Sequence, residues 1–374
     1  MALGSGHTRA WVTLVTADSY IPGVIILAHT LEKHETRYPL IVLITPSLSL
    51  SSVSILQVEA SRNPLLSIKQ TAPLLPLGHE NFNLIATRFA DTWTKLRVFE
   101  LTSYEAIIFL DADITIFRNM DHAFDIKLPG SDWLAANHAC VCNLDHDSWA
   151  PLDWNAGNCA YTPLRHPSAL KRSTPVPHTS DVSGKRTYRL LNGGMFLFHP
   201  SAELWSSMLH EFETSSKLQT YMFPDQDFIA DFFGNRWVSL GWQYNALKTM
   251  RYWHENIWRD EEVCALHYIV DKPWQKPIAS DGIAGYLGRD GGTHSWWWNL
   301  WEEWRRARLE DKSFVGRGLI LKEMVMVADL LVASPLDEIG NTAQCNENSK
   351  KGFPIPVPDH PGKLSNSFNE VDRA

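Results

Sequence analysis

The stretch Ile107-Ile108-Phe109-Leu110-Asp111-Ala112-Asp113 constrains this chain more than any other. Its apolar run is typical of a buried strand, and it stops abruptly on two carboxylates one residue apart. Aspartates are rarely buried unless paired or metal-bound, and in open α/β sheets ligands gather at the carboxyl ends of strands. A divalent cation shared with a phosphate-bearing ligand is the economical reading, because two carboxylates leave such an ion unfilled, with positions for diphosphate oxygens. The plainer alternative is that Asp113 only caps the following turn.

The residues before this run alternate between strand and helix patterns. Trp11 to Val15 reads as a strand, Gly23 to His34 as a helix, Leu40 to Ile44 as a strand and Ser51 to Ser61 as a helix. Leu66 to Lys69 then reads as a short strand, Phe89 to Leu101 as a helix and Ala106 to Leu110 as the strand that carries the aspartates. This βαβ punctuation predicts an α/β fold with a mostly parallel, Rossmann-like sheet flanked by helices.

Beyond Asp113 the pattern loosens. Residues 139–188 hold Pro151, Pro163, Pro167, Pro175 and Pro177 among polar residues and read as a long irregular insertion. Met195 to Phe198 and Cys264 to Ile269 look like strands, and Ala202 to Thr214 and Gln226 to Phe233 like helices. In His294 to Leu309, the side chains of Trp297, Leu300, Trp301 and Trp304 fall on one helical face that suits core packing better than a membrane. The expected organisation is an α/β domain over 1–285, a helical C-terminal appendage over 286–345 and a disordered tail over 346–374.

With 42 acidic and 34 basic residues, net charge −8, and no basic cluster, a nucleic-acid partner is excluded as an expectation. No window has the length of a membrane span and the N-terminus lacks the apolar region of a signal peptide, so the expected location is cytoplasmic. The five cysteines fit reduced thiols better than a disulfide framework. His138, Cys140, Cys142, His146 and Cys159 could supply ligands to a structural zinc, but their spacing matches no regular finger, so ordinary loop residues are the favoured reading.

Four further segments sit where a nucleotide diphosphate would use them. The loop Leu14 to Tyr20 could hold a base through its backbone and aromatic ring. Lys95 leads toward the aspartate strand, and Asn192-Gly193-Gly194, ahead of a strand, allows close backbone approach. His267 ends a strand, with Lys272 five residues on in HYIVDKPW. Together with TKLRVFEL, FLDADI, the segment Asp121 to Ile126, LNGGMF, PDQDF and the pair Tyr244-Asn245, this order resembles glycosyltransferase family 8, retaining enzymes that include glycogenin and the plant galactinol synthases. The resemblance covers roughly residues 10–276.

The resemblance implies a GT-A-type fold and a hexosyltransferase using UDP-glucose or UDP-galactose. It implies that Asp111, Asp113 and His267 hold a metal, and two oxygens with an imidazole suit Mn²⁺, with Mg²⁺ as the alternative. Lys272 is similar to the lysine that contacts the departing diphosphate, and Leu14, Thr16 and Tyr20 to the uridine loop. Ala112 resembles the residue whose backbone faces the ribose, and Lys95, Asn192, Gly193, Asp225 and Gln226 those around the donor sugar, with Asp225 or Gln226 nearest the reacting face. Acceptors compatible with the resemblance are a polyol, a sugar or a protein, and a homodimer is allowed for.

Two departures matter: Ala17 stands where glycogenin has an asparagine, and the His267 to Lys272 interval is one residue shorter than glycogenin's and lacks its glycine. Rival readings are a sugar nucleotidyltransferase, which should show a Gly-rich basic loop that Thr16 to Gly23 does not supply, and a non-catalytic or self-glycosylating primer protein using Tyr252. For Tyr252 itself, packing is favoured over modification.

Overall fold

A computed structural model describes residues 8–79, 91–170, 174–175, 185–275, 278–311 and 318–333. In chain order the strands are β1 (Arg9–Val15), β2 (Leu40–Ile44), β3 (Leu66–Gln70), β4 (Ala106–Leu110), β5 (Ile114–Ile116), β6 (Leu134–His138), β7 (Thr174–Pro175), β8 (Leu191–Phe198), β9 (Trp237–Ser239), β10 (Ala246–Leu247) and β11 (Ala265–His267). The helices are α1 (Ile21–Lys33), α2 (Leu50–Arg62), α3 (Ala202–Thr214), α4 (Pro224–Phe233), α5 (Met250–Trp253), α6 (Gly291–Glu310) and α7 (Gly318–Ala333).

Strand alternation builds two cores on one sheet. The main sheet runs β3-β2-β1-β4-β8-β6-β9-β7, with β3, β2, β1 and β4 parallel and β8 antiparallel to both β4 and β6. Trp11, Ile108, Leu110 and Leu197 face α1 and α6, whereas Val12, Ile107, Phe109, Phe196 and Phe198 face the other side with α3 and α4. Because β4 is central and covered on both faces, all five of its residues are buried, as its apolar run requires. The parallel strands place the ends of β1 and β4 on one edge, where the site forms.

α6 shares the α1 core rather than standing apart from it. Trp297, Trp301 and Trp304 are fully buried, Trp304 Nε1 donates to Glu59 Oε1 at 2.9 Å, and Arg308 donates through Nε and Nη2 to both Glu59 oxygens at 2.8 Å. The tryptophan stripe therefore packs on the core, as its spacing predicts.

Several boundaries differ from expectation. Thr92–Glu100 winds as 3₁₀ turns rather than an α-helix, and residues 89–90, the start of that expected helix, lie outside the described residues. Asn192-Gly193-Gly194 lies inside β8, not before it, where a register shift against β6 bulges the strand. α4 begins at Pro224 with Phe223 as N-cap, so Asp225 sits in its first turn and does not cap it. The strand ending at His267 is three residues long and joins β10 and β5 in a separate small sheet. The proposed tail over 346–374 lies outside the described residues.

Candidate active site

Asp111 and Asp113 leave β4 in a tight turn closed by Ile114 N donating to Asp111 O at 3.0 Å. Asp111 N donates to Gly194 O at 2.8 Å, which ties the turn to the β8 bulge. His267, at the end of β11, is brought to the same point by antiparallel pairing with Ile114. Its Nε2 lies 3.3 Å from Asp113 Oδ1 and 3.8 Å from Asp111 Oδ2, and one ligand atom from each of the three residues falls within 4.8 Å of the others. Asp113 and His267 are buried, and Asp111 keeps about a quarter of its side chain exposed (26 %).

The histidine is held in one orientation. His267 Nδ1 and Asn245 Oδ1 are 2.9 Å apart, and Asn245 Nδ2 donates to Asn192 Oδ1 at 2.8 Å, which also accepts Gly194 N at 3.0 Å. An amide oxygen only accepts, so Nδ1 carries a proton and Nε2 is the nitrogen turned toward the aspartates. Two carboxylates and an imidazole nitrogen offer the donor set for a divalent cation. Gly194 makes room: a Cβ there would lie 2.3 Å from His267 Cε1. Gly23 does the same beneath the turn, where a Cβ would lie 2.2 Å from Ala112 O.

Two lysines balance the acids. Lys272 Nζ is bonded to Asp113 and donates to Tyr268 O at 2.8 Å. Lys95 Nζ lies 2.9 Å from Asp111 Oδ1 and 2.5 Å from Asp225 Oδ2, and donates to Gly193 O at 3.2 Å. Burial alone would raise Asp113, but Lys272 and His267 outweigh it and hold the carboxyl well below the usual range. Burial pushes Asp111 upward, Lys95 pulls it back and the charge of Asp113 adds to the rise. Burial opposes the charge of Lys95, yet Asp111 and Asp225 win and raise it above the ordinary lysine value. The cluster thus concentrates charge of both signs at the strand ends, a pattern found at functional sites.

The remaining predicted residues converge on this point to different degrees. Gly193 N donates to Gln226 Oε1 at 3.0 Å, placing Gln226 beside Asp225 at the start of α4. Tyr20 packs edge-on against Trp274 at 6.1 Å, and Lys272 Nζ stands 5.8 Å from the Tyr20 ring centre. Trp274 Nε1 donates to Ser19 O at 2.8 Å, so the segment after His267 closes onto the loop after β1. Leu14 is the next-to-last residue of β1, Thr16 O accepts Ser47 Oγ at 2.6 Å, and Ala112 is buried between the aspartates.

The short His267 to Lys272 segment turns without a glycine: Val270 takes the left-handed conformation at φ 63°. Sequence reading gave no role to Asn245, Lys248 or Asp290. Lys248, just after β10, donates through Nζ to Asp271 O at 2.8 Å and pairs with Asp290 Oδ2 at 2.7 Å, fully buried, so it ties the same segment to the start of α6. The pair Tyr244-Asn245 was visible as a motif, but only folding shows that Asn245 meets His267. The Tyr252 hydroxyl is buried, without a hydrogen-bond partner among the described residues, and Arg289 lies 5.4 Å from its ring centre.

A mostly parallel sheet with a carboxylate and histidine cluster at the end of its central strand is the arrangement of the GT-A fold. The family model for glycosyl transferase family 8 matches residues 11–277, and the chain belongs to that family; it is a hexosyltransferase. Galactinol synthase 2 of Arabidopsis thaliana is 28% identical over 279 residues, covering 72% of this chain and 74% of the relative. Galactinol synthase 6 of the same plant is 27% identical over 317 residues, covering 82% and 84%. An active-site mutant of LgtC superposes with a TM-score of 0.52 at 14% identity, over 79% of this chain and 95% of that one, and the bifunctional WbbM with 0.53 at 14%, over 87% and 53%. These likenesses establish the GT-A fold. No described helix is long and apolar enough to cross a membrane.

Proposed function

We propose that the protein transfers a hexose from UDP-glucose or UDP-galactose to a hydroxyl of a small polyol or sugar, with retention of configuration, in the manner of a galactinol synthase. The observation that carries this reading is the convergence of Asp111, Asp113 and His267 Nε2 with Lys272 at the end of β4. The cation held by those three residues, Mn²⁺ or else Mg²⁺, would offset the charge of the leaving diphosphate.

The chain's own groups do the rest. Lys272 carries an ammonium to the place where diphosphate charge develops, and the loop Leu14 to Tyr20 with Ala112 takes the uridine. Lys95 holds the Asp225 carboxylate and the Gly193 carbonyl in place, and Gly193 N orients Gln226, so both α4 residues face the sugar. The glycosidic C–O bond breaks with its electron pair going to the diphosphate. The acceptor oxygen bonds the anomeric carbon from the same face, and its proton passes to the leaving phosphate oxygen. Asp225, tied to Lys95, is a positioning carboxylate in this scheme and not a covalent nucleophile.

The family resemblance and the galactinol synthase relatives favour a small acceptor over self-modification. The buried hydroxyl of Tyr252 points the same way, since a self-glycosylated tyrosine must offer its oxygen to the donor. The compartment proposed is the cytoplasm, in keeping with the four free cysteines described. UDP release with Mn²⁺, screened over UDP-glucose and UDP-galactose against polyols such as myo-inositol, tests the reading. Release that rises with a polyol supports it; growth of the protein's own mass by hexose steps, with no polyol product, replaces it with the primer reading.

A further inference from the structure

The insertion after β6 carries a second cluster that takes no part in the site above. Cys140, Cys142 and Cys159 meet around His254, and one ligand atom from each of the four falls within 4.8 Å of the others. The sulfur to His254 Nε2 distances are 3.3 Å for Cys140, 3.2 Å for Cys142 and 3.6 Å for Cys159, and Cys159 Sγ lies 4.0 Å from Cys140 Sγ. A tetrahedral zinc with Zn–S near 2.3 Å and Zn–N near 2.0–2.1 Å sets its ligands about 3.8 Å apart sulfur to sulfur and about 3.6 Å sulfur to nitrogen. The observed edges scatter around those values. A disulfide would need sulfurs about 2.05 Å apart, and all three cysteines are free.

Burial sharpens the point. Cys159 is 0 %, His254 1 % and Cys142 2 % exposed, with Cys140 partly buried. Three thiols around one imidazole nitrogen cannot satisfy one another, because that nitrogen accepts a single hydrogen and sulfur is a weak partner. Three bare thiolates would be an uncompensated buried charge. A divalent cation resolves both problems.

We infer that Cys140, Cys142, Cys159 and His254 form a closed structural zinc site that fastens the insertion to the catalytic domain. All four positions of the metal come from protein, so the site has no place for water or substrate. On binding, any thiol still protonated gives its proton to solvent, and Zn(Cys)₃(His) carries a net charge of −1. Thr162 Oγ1, 3.9 Å from Cys142 Sγ, is placed to donate to that sulfur. The ligands join three distant stretches: Cys140 and Cys142 directly after β6, Cys159 within the insertion, and His254 just after α5. The same stretches already meet through His166 N donating to Asn256 O at 3.0 Å and Asn256 Nδ2 to Leu164 O at 2.8 Å. Ala139 N donates to Leu190 O at 2.8 Å, one residue before β8, so the site stands behind the strand that carries Asn192 and Gly193.

His138 and His146, candidates from sequence, are not ligands. His138 stacks edge-on against Trp237 at 4.9 Å, and His146 sits in a turn at φ 56° outside the cluster. The fourth ligand comes instead from residue 254.

The test is metal content of the full chain after dialysis against EDTA, in wild type and in Asp113→Asn, which keeps the two sites apart. About one zinc per chain in both is expected, falling at least about tenfold in the double variant Cys142→Ser/Cys159→Ser. Cobalt exchanged into the wild type should give the absorption of tetrahedral thiolate cobalt, and His254→Cys should retain the metal with a stronger sulfur-to-cobalt band. Should the serine variant not fold, the wild-type count and the cobalt spectrum decide. Zinc-free protein, zinc retained in the double serine variant, zinc lost only with Asp113→Asn, or an intact mass showing two of these cysteines joined would each overturn the assignment.

Discussion

Asn245 accepts the Nδ1 proton of His267 at 2.9 Å and thereby decides which nitrogen the histidine turns toward Asp111 and Asp113. Such outer contacts typically set metal affinity by about 10–100-fold. Asn245→Leu should raise the Mn²⁺ concentration for half-maximal UDP release within that range while saturating Mn²⁺ restores much of the rate. Asn245→Asp, which still accepts from Nδ1, should lose far less. Equal metal dependence in wild type and Asn245→Leu would remove Asn245 from this role.

Gly194 is predicted to be intolerant for a steric reason. A methyl there would press on the His267 ring, with Cε1 at 2.3 Å and Nδ1 at 2.6 Å. Since His267 is fixed by Asn245 and by its strand, Gly194→Ala should cut activity at least about 100-fold through misplacement of a ligand. Its thermal midpoint should fall only modestly. Near-normal turnover at ordinary Mn²⁺ levels would show that His267 moves freely and is not a ligand.

How much of this was legible beforehand follows from how local each signal is. β2 and β4 match their expected bounds because their apolar runs are unbroken, and Asp111, Asp113, His267 and Lys272 meet as the motifs suggest. Thr92–Glu100 misled, because its apolar spacing was read as α-helix whereas the chain winds as 3₁₀ around the buried Lys95. Asn245 and His254 were opaque for a different reason: their partners lie 22 residues away, at His267, and as far as 114 residues away, at Cys140. No spacing rule reaches across such gaps. The cysteines looked like an incomplete finger only because their histidine is remote.

Val270 holds a left-handed conformation that disfavours any residue but glycine. A β-branched residue at φ 63° costs about 1–2 kcal/mol, offset in Val270→Gly by the extra freedom glycine has when unfolded, about 0.4–1 kcal/mol. Val270 is 37% exposed, so little packing is lost. Val270→Gly should therefore raise stability by up to about 1 kcal/mol in urea denaturation. A clear loss of stability would mean that the segment is relaxed as it stands.

The Glu59 to Arg308 fork fastens α6 to α2 inside the core, with side chains only 5 % and 4 % exposed. Removing one partner of a buried pair leaves the other charge uncompensated, which costs about 3–5 kcal/mol. Arg308→Met should destabilise by about that amount, and Glu59→Gln/Arg308→Met by clearly less. If the double variant is no better than the single one, the pair is not coupled.

Two buried histidines give the stability a pH dependence. Burial and then Arg308 press His29 down to about 4, and burial with Lys248 and Lys272 presses His294 down to about 3. Unfolded histidine titrates near 6.5, so below that pH the unfolded chain binds protons that the folded chain refuses. Stability is thus fully present above about 6.5 and is lost toward 4, by up to about 1.4 kcal/mol per pH unit for each histidine. Asp227, pushed up to about 6 mainly by burial, works in the opposite direction below that pH, as do Asp111 and Asp290, raised chiefly by burial, while His138, pressed down to about 4 by burial, adds to the two histidines. Urea midpoints should fall between pH 7 and 5.5, and a rise over that interval would contradict the account.

If Asp113 anchors the cation on which transfer depends, replacing its carboxylate by an amide must abolish metal-dependent turnover. UDP release from UDP-galactose and UDP-glucose with a polyol acceptor is measured over a Mn²⁺ titration in wild type and Asp113→Asn, alongside circular dichroism to verify folding. The expected result is a folded variant whose Mn²⁺-dependent turnover is at least about 10³-fold below wild type at every metal concentration. Mn²⁺-dependent turnover in Asp113→Asn at the wild-type rate would contradict it.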